Sequence, residues 1–160
     1  MTTFRSLTTP LAALLLAAGC ATTPTPKNLA ETAAATPQLS TLTKLIHDAG
    51  LTVTLSGPGP YTVFAPTDEA FEAVPAATMQ ALAQDKARLQ AVLNYHVIAG
   101  AVMSADVKNG PLKTVQGTNL ALSKSGTFVT VEDAVVTTAD VRTTNGVVHI
   151  VDKVLIPPAR

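Results

Sequence analysis

The sequence predicts an α+β domain in which helices come first along the chain and strands later. Up to residue 95, apolar residues recur at helical spacing in several segments. From Tyr95 onward the pattern changes to short β-branched runs separated by Gly, Pro and Asn. Helices and strands segregated in this way are expected to pack with the helices at one side or end of a mostly antiparallel sheet system. The chain has 160 residues and is 47% hydrophobic with mainly aliphatic side chains, enough for one packed core.

The first twenty residues stand outside that core. In MTTFRSLTTPLAALLLAAGC one early charge, Arg5, precedes the apolar run Leu11 to Ala18 and then small residues. This is the layout of a secretory signal, and the apolar run is too short for a stable membrane-spanning helix. Residues 1–19 are therefore assigned to a signal peptide. Cys20 is the one cysteine of the chain and has no partner for an internal disulfide. Residues 20–36 are rich in Thr, Ala and Pro without an apolar stripe and read as a tether. At ~3 Å per residue such a tether would hold the following domain, residues 37–158, roughly 50 Å from an anchor.

Within the domain, QLSTLTKLIHDAGL places Leu39, Leu42, Leu45, Ile46 and Ala49 on one helical face, with Gly50 as the stop. SGPGP is a turn cluster and YTVFA a short strand ended by Pro66. Thr67 or Asp68 then caps a short helix carrying Phe71. PAATMQALAQ and DKARLQAVLNYH predict two more helices, started by Pro75 and Asp85, with Met79, Leu82, Leu89, Val92 and Leu93 inward. The strands are expected in YHVIAGAV, LKTVQG, NLALSKS, FVTVED, AVVTTADV and GVVHIVDKVLIP. The pair Asn145-Gly146 fits a two-residue type I′ hairpin turn, with positive φ at both positions.

Composition and motifs exclude several functions. Eleven basic and eleven acidic residues give no net charge and form no basic block, and aromatics are 4% with no Trp. Nucleic-acid binding therefore has neither an electrostatic footprint nor stacking platforms. Asp68 and Glu72 lie four apart and could pair as general acid and base. With Glu69 they are better read as a first helical turn, where negative charge complements the helix dipole. His47, His96 and His149 are about fifty residues apart and show no metal-ligand spacing. His96 at a helix-to-strand joint and His149 within a strand are better read as hydrogen-bonded interior groups. No nucleophile elbow, P-loop or dinucleotide fingerprint occurs. No catalytic residue, metal or cofactor is expected.

The stretch YTVFAPTDEAFEAVP resembles the first signature box of fasciclin domains, LNYHVIAG the Tyr-His box, and NGVVHIVDKVLIP the second signature box. They occur in family order and together span Leu39 to Pro157. The resemblance implies a compact wedge-shaped fold, with a β-sandwich-like strand core and several helices packed at its side. It implies that Phe64, Pro66, Thr67, Asp68 and Phe71 form a structural strand-to-helix joint, with both Phe rings in the core. Asn145, Gly146, His149 and Asp152 belong to the second box. Animal members are assigned receptor-binding segments at the Tyr-His box and just before the second box. By position these fall on Tyr95 and His96 and on Asp140 and Val141, where Val replaces the family's Ile.

Leu16-Ala17-Ala18-Gly19-Cys20 further resembles a bacterial lipobox, in which the Cys is acylated; Ala17 stands where that pattern prefers Leu. Ordinary cleavage near Ala21, leaving a secreted chain, is the alternative. The expected function is a non-enzymatic adhesion or interaction module, anchored to the membrane by a lipid on Cys20 and meeting a protein or polysaccharide at the cell surface. Ala21 in place of Asp after the Cys favours the outer membrane. A carrier of a small apolar ligand is the alternative function, suited by a charged fraction of 14%. A hydrolase of envelope polymers would need a cleft joining an acid to His96 or His149.

Overall fold

The computed structural model describes residues 27–157. The signal peptide, Cys20 and the first part of the proposed tether, up to residue 26, lie outside the described residues. Among the described residues no helix is long and apolar enough to cross a membrane.

The domain starts earlier than its apolar periodicity indicates. Leu29–Ala35 forms helix α1, within the segment assigned above to the tether. A reciprocal capping box starts it: Asn28 Oδ1 accepts from Glu31 N at 2.9 Å, and Asn28 N donates to the Glu31 carboxylate at 3.1 Å. Leu29 and Ala33 are buried in the core. Two inward side chains over seven residues are too few to register as a stripe, which is why composition alone suggested a spacer.

A 3-10 turn, Pro37–Leu39, leads into α2, Ser40–Ala49, which buries Leu42, Ile46 and Ala49. Gly50 ends α2 at φ 73°, as its place in the sequence predicts. A further turn, α3 at Thr52–Leu55, was not anticipated. Strand β1, Tyr61–Pro66, is buried over nearly its whole length. Thr67 caps α4, Asp68–Glu72, accepting from Ala70 N at 3.3 Å. Helices α5, Ala76–Gln84, and α6, Lys86–Tyr95, follow as expected, the latter capped by Asp85.

The remaining strands are β2 (Val97–Ala99), β3 (Gly110–Lys113), β4 (Asn119–Ser125), β5 (Phe128–Val131), β6 (Ala134–Thr143) and β7 (Gly146–Val151). Their spatial order is β2-β1-β7-β6-β5-β4-β3. All pairings are antiparallel except β1 with β7, which run parallel in the register Tyr61↔Gly146 to Pro66↔Val151. The two ends of the sheet curl toward each other: Val115 N donates to Val97 O at 2.8 Å, and Ile98 bridges Thr114. The interior is accordingly in two parts. One packs the helices against one face of β1 and β7; the other, including Phe64, Tyr95, Ile98, Leu120 and Val131, fills the curl of the sheet.

The hairpin between β6 and β7 corrects the type I′ expectation. Thr143 pairs with Gly146, so the two-residue loop is Thr144-Asn145, and neither Asn145 nor Gly146 has positive φ. Gly146 serves close approach instead: a Cβ there would overlap the Tyr61 backbone, which runs alongside in the parallel pair. Asn145 ties three segments together. It accepts from Leu29 N at 2.9 Å and donates from Nδ2 to Leu55 O at 2.7 Å and Gly57 O at 3.0 Å.

Candidate functional site

The sequence-derived candidates fall into two separate groups. At the end of α6, Tyr95 and His96 are both 2% exposed. Apolar positions on the preceding turn carry the chain inward, so the Tyr-His pair enters the core as the helix gives way to β2. His96 Nδ1 donates to Val92 O at 2.8 Å, and Leu155 N donates to His96 Nε2 at 3.0 Å. Both ring nitrogens are thus engaged by backbone, which fixes a neutral imidazole. Burial holds its pKa down at about 4, against the opposing effect of the bond to Val92. The Tyr95 hydroxyl lies 3.3 Å from the Glu132 carboxylate and 3.4 Å from Asn119 O. Burial, with the Glu132 charge adding to it, pushes this phenol up to about 12.

The second group sits on a bulged part of β6. Asp140 adopts φ 60° within the second of two irregularities in the β6–β7 ladder, between Thr138 and Val141. Its carboxylate accepts from Ser104 N at 2.7 Å and from the Ser104 hydroxyl. Asp140 N in turn donates to His149 Nδ1 at 3.2 Å, and His149 Nε2 donates to Val102 O at 2.8 Å. The His149 ring also stacks on Phe64, with centroids 5.5 Å apart. Burial works against the Asp140 charge, but the two Ser104 bonds, helped by Arg142, outweigh it and hold the carboxyl below its usual value. Asp140 and Val141 are half-buried. The loop after β2 is therefore clamped onto β6 through Ser104 and onto β7 through His149.

Chemically, a Ser, a His and an Asp meet here without forming a nucleophile. The Ser104 hydroxyl donates to Asp140, while both His149 nitrogens face backbone groups, so no imidazole addresses the serine. Asp68 and Glu72 do not converge on a partner either. Asp68 accepts from Thr41 N at 2.8 Å and Ser40 Oγ at 2.7 Å; the Thr41 bond above all keeps its carboxyl below the ordinary value. Its role is to cap α2, which has no side-chain cap of its own. Among the described residues no cluster of His, Cys, Asp and Glu could hold a metal ion. Asp152 is exposed but bonded within the protein, exchanging bonds with Val135 at 2.7 and 3.2 Å.

Ser104, Val102 and Glu132 complete these networks and were not singled out from sequence. Ser104 lies in a turn with no motif, where only its hydrogen-bonding residue type hints at it, and Val102, at the end of the predicted strand YHVIAGAV, acts through its backbone carbonyl. A cleft of about 510 Å³ opens beside Tyr95, between Glu132, Asn119, Lys153 and Ile156. A larger trough of about 630 Å³ lies between α5, α6 and the C-terminal segment.

Comparison with known proteins agrees with this geometry. The fasciclin domain family model matches residues 37–157. The protein sll1483 of Synechocystis is 39% identical over 140 residues, covering 86% of this chain and 78% of that one. The cell surface glycolipoprotein MPT83 of Mycobacterium tuberculosis is 41% identical over 137 residues, covering 82% of this chain and 61% of its own length. Among solved structures, a domain pair from the insect cell adhesion molecule fasciclin I superposes with a TM-score of 0.71 at 16% identity, covering 82% of this chain and 51% of that one. The fold and its interior polar joints define a fasciclin-type α+β module. The chain belongs to the fasciclin domain family.

Proposed function

We propose that this chain is a non-catalytic interaction module, held at the bacterial envelope by an acylated Cys20 and binding a protein or polysaccharide at the cell surface. The observation that carries the reading is the use of its polar residues. His96, His149, Asp140, Ser104 and Asp68 are each bonded within the protein, so none is left as a general acid, base or nucleophile. The kinship with a mycobacterial cell surface glycolipoprotein supports the location.

The described chain begins beside the β6–β7 turn, where Lys27 O accepts from Thr144 N at 3.0 Å. Lys27 lies seven residue steps after Cys20. At 3.3–3.6 Å per residue they reach at most about 25 Å, half the distance the composition suggested. An anchored domain would hold the β6–β7 turn toward the bilayer. The opposite end of β6, with Glu132, Asp133 and the Tyr95 cleft, would point away and offer the more accessible surface for a partner. In a Gram-negative envelope, Ala21 after the acylated Cys favours the outer membrane.

The reading is tested by coating beads with the purified mature domain and measuring adhesion to purified matrix proteins and envelope polysaccharides. Saturable binding, competed by free domain and lost with an Asp133→Lys, Lys153→Glu surface, is expected. Absence of saturable binding across the whole panel would remove the basis for an interaction module.

A further inference from the structure

We propose that the trough between α5, α6 and the C-terminal segment binds a single-chain amphiphile whose head carries a hydroxyl and an anionic group, the monoacylglycerol phosphate class. This does not depend on the anchoring of Cys20 or on any cell-surface partner. Three observations converge on it. The trough has a volume of about 630 Å³, within the range of small-molecule sites. Its walls are mainly apolar: Leu82 and Val92 form buried parts of the lining, Ala77 and Ala81 leave room on α5, and Ile156 stands along it although 53% exposed.

Two polar groups in the same lining lack partners. The Gln116 side chain, in the loop after β3, has a buried Oε1 without a hydrogen-bond partner among the described residues. A buried acceptor left unbonded is costly, and a ligand hydroxyl would supply the missing donor once the amide turns to meet it. Arg88, on the first turn of α6, is exposed and makes no ion pair among the described residues. A phosphate at the mouth of the trough would take its planar guanidinium in charge-assisted hydrogen bonds. An acyl chain over the alanines and Ile156 would cover apolar surface that is otherwise wet.

Calorimetric titration of the mature protein with 1-myristoylglycerol phosphate and with uncharged 1-myristoylglycerol, both as monomers, tests this. One molecule of each is expected to bind per chain, the phosphate more tightly. Arg88→Met is expected to weaken the phosphate ligand about 5-fold and leave the uncharged one unchanged. Ala77→Phe, at an exposed position, is expected to abolish binding of both while circular dichroism shows the fold retained. No saturable binding by the natural protein would overturn the proposal, as would binding that neither substitution alters.

Discussion

His96 and His149 are both buried, and their backbone partners set them in opposite tautomers. His96 donates from Nδ1 to Val92 O and accepts at Nε2, whereas His149 donates from Nε2 to Val102 O and accepts at Nδ1. Each pins a loop to the sheet: His96 holds the C-terminal segment at Leu155, and His149 holds the loop after β2. The His96 ring cannot take a second proton without losing its backbone donor and leaving a charge in the core.

Acid is therefore expected to loosen the fold through His96. Its folded pKa is held at about 4, while an unfolded histidine titrates near 6.5. The unfolded chain binds more protons between these values, so the stabilisation is complete above pH ~6.5 and falls as pH drops toward about 4. The full loss is about 3 kcal/mol. Denaturant midpoints from pH 8 to 4 should show this slope, and His96→Gln should flatten it. The lowered Asp68 and Asp140 pKa values act in a separate window, below the ordinary 3.8.

Asp68 caps a helix that begins 28 residues earlier in the chain. Asp68→Ala is expected to cost about 1–2 kcal/mol, with faster amide exchange at Thr41 and neighbouring residues. Glu69→Ala, an exposed change on the same helix, should stay within about 0.5 kcal/mol. Equal losses in the two variants would show that the bridge to α2 contributes nothing.

Asn145 joins α1, the segment after α3 and the β6–β7 turn. Asn145→Ala leaves Leu29 N and two carbonyls without their partner, and a loss of about 3 kcal/mol is expected in urea unfolding. Gly146→Ala should be at least as damaging, since its methyl meets the Tyr61 backbone and not a flexible side chain.

Tyr95 is expected to titrate near 12 in the folded protein, observable as a late phenolate absorbance step. Tyr95→Phe removes that step and keeps the ring packing, at a cost of about 1 kcal/mol. Because the ring is buried, a loss of adhesion in this variant without a loss of stability would place the Tyr-His pair at a contact surface.

The sequence made local elements legible where one face repeats. The buried Leu42, Ile46 and Ala49 of α2 and the Gly50 stop, the Thr67 cap and the buried Phe64 and Phe71 all follow from spacing and residue type. It was silent where the signal is non-local. The parallel pairing of β1 with β7, eighty-five residues apart at Tyr61 and Gly146, leaves no mark in either segment. Asn145-Gly146 carries a strong turn signal, yet here the glycine answers to a neighbouring strand and the asparagine to a helix start. Helix α1 escaped notice because its stability comes from a capping box and two buried side chains. Of the candidate site, the histidines were legible as interior groups. Ser104, which clamps Asp140, was not, because a single hydroxyl in a loop has no periodicity.

Tethering of the domain at the envelope is tested most directly by intact mass spectrometry of the protein from a membrane fraction. A chain beginning at Cys20 with added acyl mass, absent from a Cys20→Ala variant, is the expected result. An unacylated chain beginning near Ala21 and recovered from the soluble fraction would contradict it.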